Sequence, residues 1–179
     1  VLFRSGLARV AAVADPSAEL AQTAARSAPG IRILPDLASL LSEDIDGIVI
    51  ATPSALHAEQ SIAALETGKA VFCQKPLGRN AAETRTVIAA ARKADRLLGV
   101  DLCYRHARAV REIRTRIRAG DIGDIYGVDL VFHNAYGPDK DWYYDPAAAG
   151  GGCVIDLGIH LVDLLLWALD FPEVEKVTS

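Results

Sequence analysis

Three ionisable residues interrupt the apolar run between Gly150 and Leu169: Asp156, His160 and Asp163. Their spacing of i, i+4 and i+7 puts them on one narrow stripe of a helix. Burying such groups is costly unless they are paired or change protonation. The stripe is therefore either a satisfied internal network or the wall of an active site. An acid and an imidazole one helical turn apart suit proton transfer, since the acid can orient the ring or raise its basicity. A metal is a poor alternative, because these donors share one helix and no second cluster faces them. Gly150, Gly151 and Gly152 just before the run allow another backbone or a ligand to come close.

Other candidates lie earlier in the chain. Lys75 stands between an apolar run and Pro76, which restrains it to extended geometry and can itself follow a cis bond. Its ammonium is then aimed over the edge of a sheet, unless it is an ordinary turn lysine. Asp15 ends a short apolar run and can accept from the two hydroxyls of an adenine ribose, or serve as a loop acid beside Pro16. His57, in the first turn of a helix, either faces the sheet edge or solvates the helix start. Trp142 and Tyr143 can stack on a sugar ring or simply pin their loop.

These residues need a scaffold, and the periodicity supplies one. Short apolar runs at 9–15, 31–34, 45–51, 70–73 and 97–101 read as strands. Between them lie helices from Ser17 to about Ala28, Leu37 to Leu41, Ser54 to Glu66 and Asn80 to about Ala94. Ser17, Asp36 and Asn80 are the expected N-caps, and Gly68 the stop of the third helix. Alternation of this kind predicts an α/β, doubly wound parallel sheet with right-handed crossovers. Ligands bind such sheets at the carboxyl ends of the strands. Asp15, Thr52-Pro53-Ser54, Gln74-Lys75 and Asp101 all fall on that edge. After Tyr104-Arg105-His106 the pattern changes to an Arg-rich helix over 107–119, an alternating strand over 124–134 and a loop over 135–149. The boundary near Arg105 gives a first domain over 1–104 and the start of an α+β, mostly antiparallel second domain over 105–179.

Half of the 179 residues are apolar and the net charge is −4. That balance excludes the basic footprint of a nucleic-acid binder, so Arg108, Arg111 and Arg118 are read as a solvated helix face. The three cysteines, Cys73, Cys103 and Cys153, sit in apolar runs. They read as buried, reduced thiols of a cytoplasmic protein. Neither a signal peptide nor a membrane span is read; the acids interrupt the 150–169 run too often for a span. The chain does not begin with Met, and 174–179 resembles the start of another strand. It reads as a fragment of a longer chain, its first strand and any glycine-rich turn lying upstream of Val1.

The ordered set of motifs resembles the Gfo/Idh/MocA family of NAD(P)-dependent oxidoreductases. The matching pieces are Ala51-Thr52-Pro53 with His57, Gln74-Lys75-Pro76-Leu77, Tyr104-Arg105, Gly120-Asp121-Ile122-Gly123, and Gly151-Gly152 followed by Asp156, Gly158, His160 and Asp163. The resemblance implies a Rossmann domain, then a substrate domain that also mediates homo-oligomers. It implies Lys75, Asp156 and His160 as the catalytic set: His160 the base for the hydroxyl proton of a sugar or polyol, Asp156 holding the imidazole, Lys75 polarising the oxygen. Asp15, Thr52, Pro53, His57, Gln74, Lys75 and Arg105 are the implied cofactor contacts, and Tyr104, Trp142, Asp156 and His160 the implied substrate contacts. An acid at Asp15 repels a 2′-phosphate, which favours NAD over NADP.

Two departures stand out. Gln74 replaces the glutamate usual in the family, removing a charge beside Lys75. The phosphate-binding glycine turn is not among these residues, so the fragment alone is expected to bind NAD poorly and to be inactive. Two other readings use the same scaffold: an NAD-recycling glycoside hydrolase or lyase, and a non-catalytic NAD-binding partner protein.

Overall fold

The computed structural model describes residues 5–28, 30–135, 137–138 and 140–178. Five strands form, all parallel to their neighbours: β1 (Ala12–Ala14), β2 (Arg32–Leu34), β3 (Gly47–Ile50), β4 (Ala70–Gln74) and β5 (Leu98–Asp101). Helices alternate with them: α1 (Ala18–Ser27), α2 (Leu37–Leu41), α3 (Ser54–Glu66) and α4 (Ala81–Ala94). The expected caps are in place. Ser17, Asp36 and Asn80 accept from the backbone N–H of Leu20, Ser39 and Glu83, satisfying donors that the first helical turn leaves unpaired.

The sheet is in two pieces. β1 pairs with β2, and β3 pairs with β4, which pairs with β5. In the doubly wound order 3-2-1-4-5-6 a central strand lies between two such halves. Among the described residues none fills that place. The core lies on the larger piece, where Ile48, Ile50, Val71 and Cys73 pack against Ala64 and Leu65 of α3 and Val87 of α4. Full burial of side chains such as Leu65 and Val87 contributes about 1.5–3 kcal/mol each. This places β3, β4 and β5 rigidly, with the residues at their carboxyl ends on one edge.

Beyond β5 the chain runs through a 3-10 turn (Cys103–His106), α5 (Arg108–Ala119), a second 3-10 turn (Asp141–Tyr144) and α6 (Pro146–Ala149). A π-helical turn over Val154–Gly158 leads into α7 (Ile159–Ala168). Four expectations are corrected here. The segment 124–134 forms no strand, because no described strand pairs with it. A strand is a pairing as well as a sequence pattern, and Tyr126, Val128 and Val131 stand exposed. Val174 to Thr178 likewise pair with no strand among the described residues, and Ser179, like Val1 to Arg4, lies outside them. Helix α7 is not buried all round: only His160 is buried on it, and Val162 is exposed. Of the three free thiols, Cys73 is buried but Cys103 and Cys153 are exposed.

By length and mean hydropathy alone, the helical run Pro146–Ala168 could also cross a membrane (23 residues, 1.6). Its acids are instead turned onto the preceding part of the chain. Lys75 meets Asp156, and Arg105 meets Asp163.

Candidate active site

The site forms where the carboxyl edge of β4 meets the polar stripe of the last helix. Lys75 follows directly on β4. Its Nζ donates to the backbone carbonyl of Asp156 at 2.6 Å and to Asp156 Oδ1 at 2.5 Å. Both side chains are largely shielded from water, at 13% and 25% exposure. In that setting a charge-assisted bond is stronger than a neutral one, and the double contact fixes the direction of the ammonium. The π-turn over Val154–Gly158 presents both Asp156 oxygens to one cation.

One turn further on, the His160 ring is buried at 7% exposure. Its Nδ1 has no hydrogen-bond partner among the described residues. The edge of the ring meets Tyr104, with centroids 4.5 Å apart and planes at 69°. Tyr104 thus holds the imidazole by packing and itself leans on Phe132. Burial pushes the imidazole below its ordinary proton affinity, and the Lys75 ammonium pushes the same way. Asp156, Asp163 and Asp101 pull in the opposite direction without winning. The surroundings therefore favour the neutral ring, and its Nδ1 is unpaired.

The expected contact between Asp156 and His160 is replaced. The acid bonds to Lys75, the nearest cation, and its charge reaches the imidazole only through space. Asp163 likewise accepts from Arg105, at 2.8 Å from Nε and again from Nη2. Arg105 also stacks over Phe171. Its guanidinium ties α7 to the turn after β5.

His57 is also held within the fold. Its ring is buried, with Nδ1 2.7 Å from the Pro76 carbonyl oxygen and Nε2 2.7 Å from that of Thr52. Each ring nitrogen faces a backbone carbonyl, so the ring lies between the turn after β3 and the turn after β4. Thr52 accepts there through its carbonyl, while its hydroxyl donates to Gln60. Pro53 caps α3 with no side-chain bond. A cleft of about 330 Å³ opens beside them, and Thr52, Gln74, Lys75, Lys140 and Trp142 line it. Trp142 stacks on Tyr143 at 3.9 Å. The aromatic pair therefore stands at the cleft and also braces its own loop.

Asp15 follows β1, where one carboxylate oxygen accepts from the Ser17 N–H at 2.8 Å. It is on the edge expected of it, but on the smaller piece of sheet. One cleft residue and one contact at the edge escaped the sequence. Lys140 lies in an irregular loop with no periodic signal. Asp101 was placed on the edge without a partner, and it accepts from Gln74 Nε2 at 2.7 Å.

Known proteins resemble this chain over most of its length. The family described as "Oxidoreductase family, NAD-binding Rossmann fold" matches residues 2–102, and the "GFO/IDH/MocA C-terminal domain" matches 110–179. A 1,5-anhydro-D-fructose reductase of Ensifer adhaerens is 36% identical over 136 residues, covering 75% of this chain and 40% of that protein. Inositol 2-dehydrogenase 3 of Saccharopolyspora erythraea is 33% identical over 165 residues, covering 91% and 46%. Among solved structures, levoglucosan dehydrogenase in complex with NADH and levoglucosan superposes with a TM-score of 0.75 at 29% identity, over 89% of this chain and 45% of that one. The chain thus spans rather less than half the length of these relatives.

Proposed function

The chain belongs to the Gfo/Idh/MocA family of NAD-binding Rossmann-fold oxidoreductases, and on that premise we propose that its protein is an NAD-dependent dehydrogenase of sugars or polyols. The observation that carries the reading is the ammonium of Lys75 held by Asp156 beside a buried imidazole with an unpartnered nitrogen. An unpaired buried polar atom costs about 1–3 kcal/mol. Such atoms persist where function uses them.

The residues fit the proposed cofactor in part. Asp15 keeps one carboxylate oxygen for a ribose hydroxyl, and an acid there opposes a 2′-phosphate, which favours NAD over NADP. Thr52, Gln74 and Lys75 line the cleft at the ends of β3 and β4 and would be the residues to hold the cofactor there. When bound, the nicotinamide supplies the hydride acceptor.

The chain's own residues do the rest. The His160 imidazole accepts the hydroxyl proton as the carbon loses its hydride. The ring is ready for this because burial and Lys75 keep it neutral. Lys75 steadies the oxygen on which charge develops. Asp156 keeps the ammonium aimed and, with Asp163, favours the imidazolium once the proton has arrived. Tyr104 keeps the ring from turning.

The test is accumulation of free NADH by the full-length protein with levoglucosan, myo-inositol and related sugars. His160→Ala should lower kcat by about 10²–10⁴-fold, the usual scale of general-base catalysis. Full turnover in that variant, or product formed with no net NADH from any of these substrates, would remove the dehydrogenase reading.

A further inference from the structure

Two lysines, Lys75 and Lys140, line the cleft of about 330 Å³, and no described Asp or Glu lines it. That volume is at the lower end of small-molecule sites, roughly 300–1,000 Å³. Thr52 and Ser54 after β3, Gln74 at the end of β4 and the Trp142 ring supply neutral wall.

The charges of the lining do not balance within it. Lys75 is matched by Asp156, which is not itself a lining residue. Asp101, opposite Gln74 in register, is engaged by Gln74 Nε2 at 2.7 Å. Gln74 brings an amide to the wall where an acid would have brought a carboxylate. Lys140 joins no ion pair among the described residues and is exposed. The cleft is thus positive, and a positive concave site concentrates anions.

The loop holds itself without the Lys140 side chain. The Lys140 carbonyl accepts from the Tyr143 N–H at 3.1 Å, and the Trp142 carbonyl accepts from the Asp145 N–H at 3.2 Å. The Asp145 carboxylate then caps α6 through the Ala147 N–H at 2.9 Å, and Ala149 at the end of α6 is buried. An ammonium has three donors and no acceptor. With no acid on the wall, the strongest partner open to it is an anionic oxygen on a ligand.

We propose that Lys140 is a specificity-determining residue: its ammonium receives a carboxylate or phosphate group of a sugar lying against Trp142 in this cleft. The proposal rests on the dehydrogenase reading for the sugar and deepens it by naming an anionic substrate class.

The test is calorimetric titration of the full-length protein in the presence of NADH, which leaves a sugar with nothing to reduce its own hydrogen. Glucose is paired with glucuronate and with glucose 6-phosphate, and galactose with galacturonate. At least one charged sugar should bind about tenfold or more tightly than its neutral counterpart, the scale of one hydrogen bond to a charged group. The arm that shows the preference tells carboxylate from phosphate. Lys140→Gln should bring the ratio below about threefold, and Lys140→Arg should keep it within about threefold of the parent.

Charged sugars that bind no better than neutral ones, or no sugar binding at all, overturn the proposal. So does a preference that survives in Lys140→Gln. A loss of NADH affinity in that variant as large as its loss for the charged sugar also overturns it, since Lys140 would then serve a phosphate of the nucleotide. The titrations involve no turnover. Accumulation of free NADH tests the dehydrogenase reading separately, so either can fail while the other stands.

Discussion

Both ring nitrogens of His57 lie 2.7 Å from backbone carbonyl oxygens, on Thr52 and Pro76, inside a fully packed site. Removing the ring leaves a buried carbonyl short of its N–H partner, costing about 1–3 kcal/mol, and opens a cavity besides. His57→Ala should therefore destabilise the chain by about 2–4 kcal/mol, seen as a lower urea midpoint at unchanged slope. The position of His57 beside the edge was legible in its helical spacing. Its role was not, because both partners are backbone atoms that no side-chain pattern announces.

For His160 the sign of the shift makes a second prediction. The folded ring binds its proton less tightly than the unfolded one, with burial the larger cause and Lys75 the next. Between the folded value and the ordinary 6.5, the unfolded chain holds the extra proton. Stability should thus be lost as pH falls from about 6.5 through the folded value, and this residue adds no slope above it. In the full-length protein the same depression moves the acid limb of kcat/KM below 6.5. A limb centred above that value would show the neutral base to be some other group.

Among the elements, the capped helices were the most legible, because a cap is a local contract between neighbouring residues. Asn80 accepts from Glu83 N at 2.9 Å, as its place before Ala81 implies. Asn80→Ala should cost about 1 kcal/mol in chemical denaturation. The segment 124–134 has equally clear alternation but no strand, since its pairing partner is not local. Helix α7 lies between these cases. Its polar stripe was plain in the spacing of Asp156, His160 and Asp163, yet which cation each acid would take depended on tertiary approach. Arg105 holds Asp163 through two bonds with side-chain exposures of 27% and 10%. Breaking this pair should cost about 1.5–3 kcal/mol, the scale for bonds to charged groups. Asp163→Asn should also speed amide exchange over Ile159–Ala168 more than in the β3-β4-β5 core. Uniform acceleration across both regions would mean that α7 is not docked by this pair.

At the scale of the whole molecule, the two halves of the sheet divide the candidate cofactor contacts between them. Asp15 stands at the end of β1, while Thr52, Gln74 and Lys75 stand at the ends of β3 and β4. Nothing hydrogen-bonded joins β1 to β3 among the described residues. A dinucleotide spanning that gap would have to be gripped at its pyrophosphate, which in this fold is the work of backbone N–H groups in a glycine-rich turn at a helix start. None of the glycines in these 179 residues falls in a Gly-x-Gly-x-x-Gly pattern. Each hydrogen bond to a charged group contributes about 1.5–3 kcal/mol. Two such bonds therefore amount to at least about 100-fold in affinity. The 179-residue chain should bind NAD at least about 100-fold more weakly than an intact relative such as levoglucosan dehydrogenase, in paired calorimetric titrations. Equal affinity would mean that the cleft at Lys75 and Trp142 holds the nucleotide by itself, and that the pyrophosphate grip contributes little here. Weak binding that strengthens when a strand and glycine turn are added ahead of β1 would instead locate the missing affinity in the gap between β1 and β3.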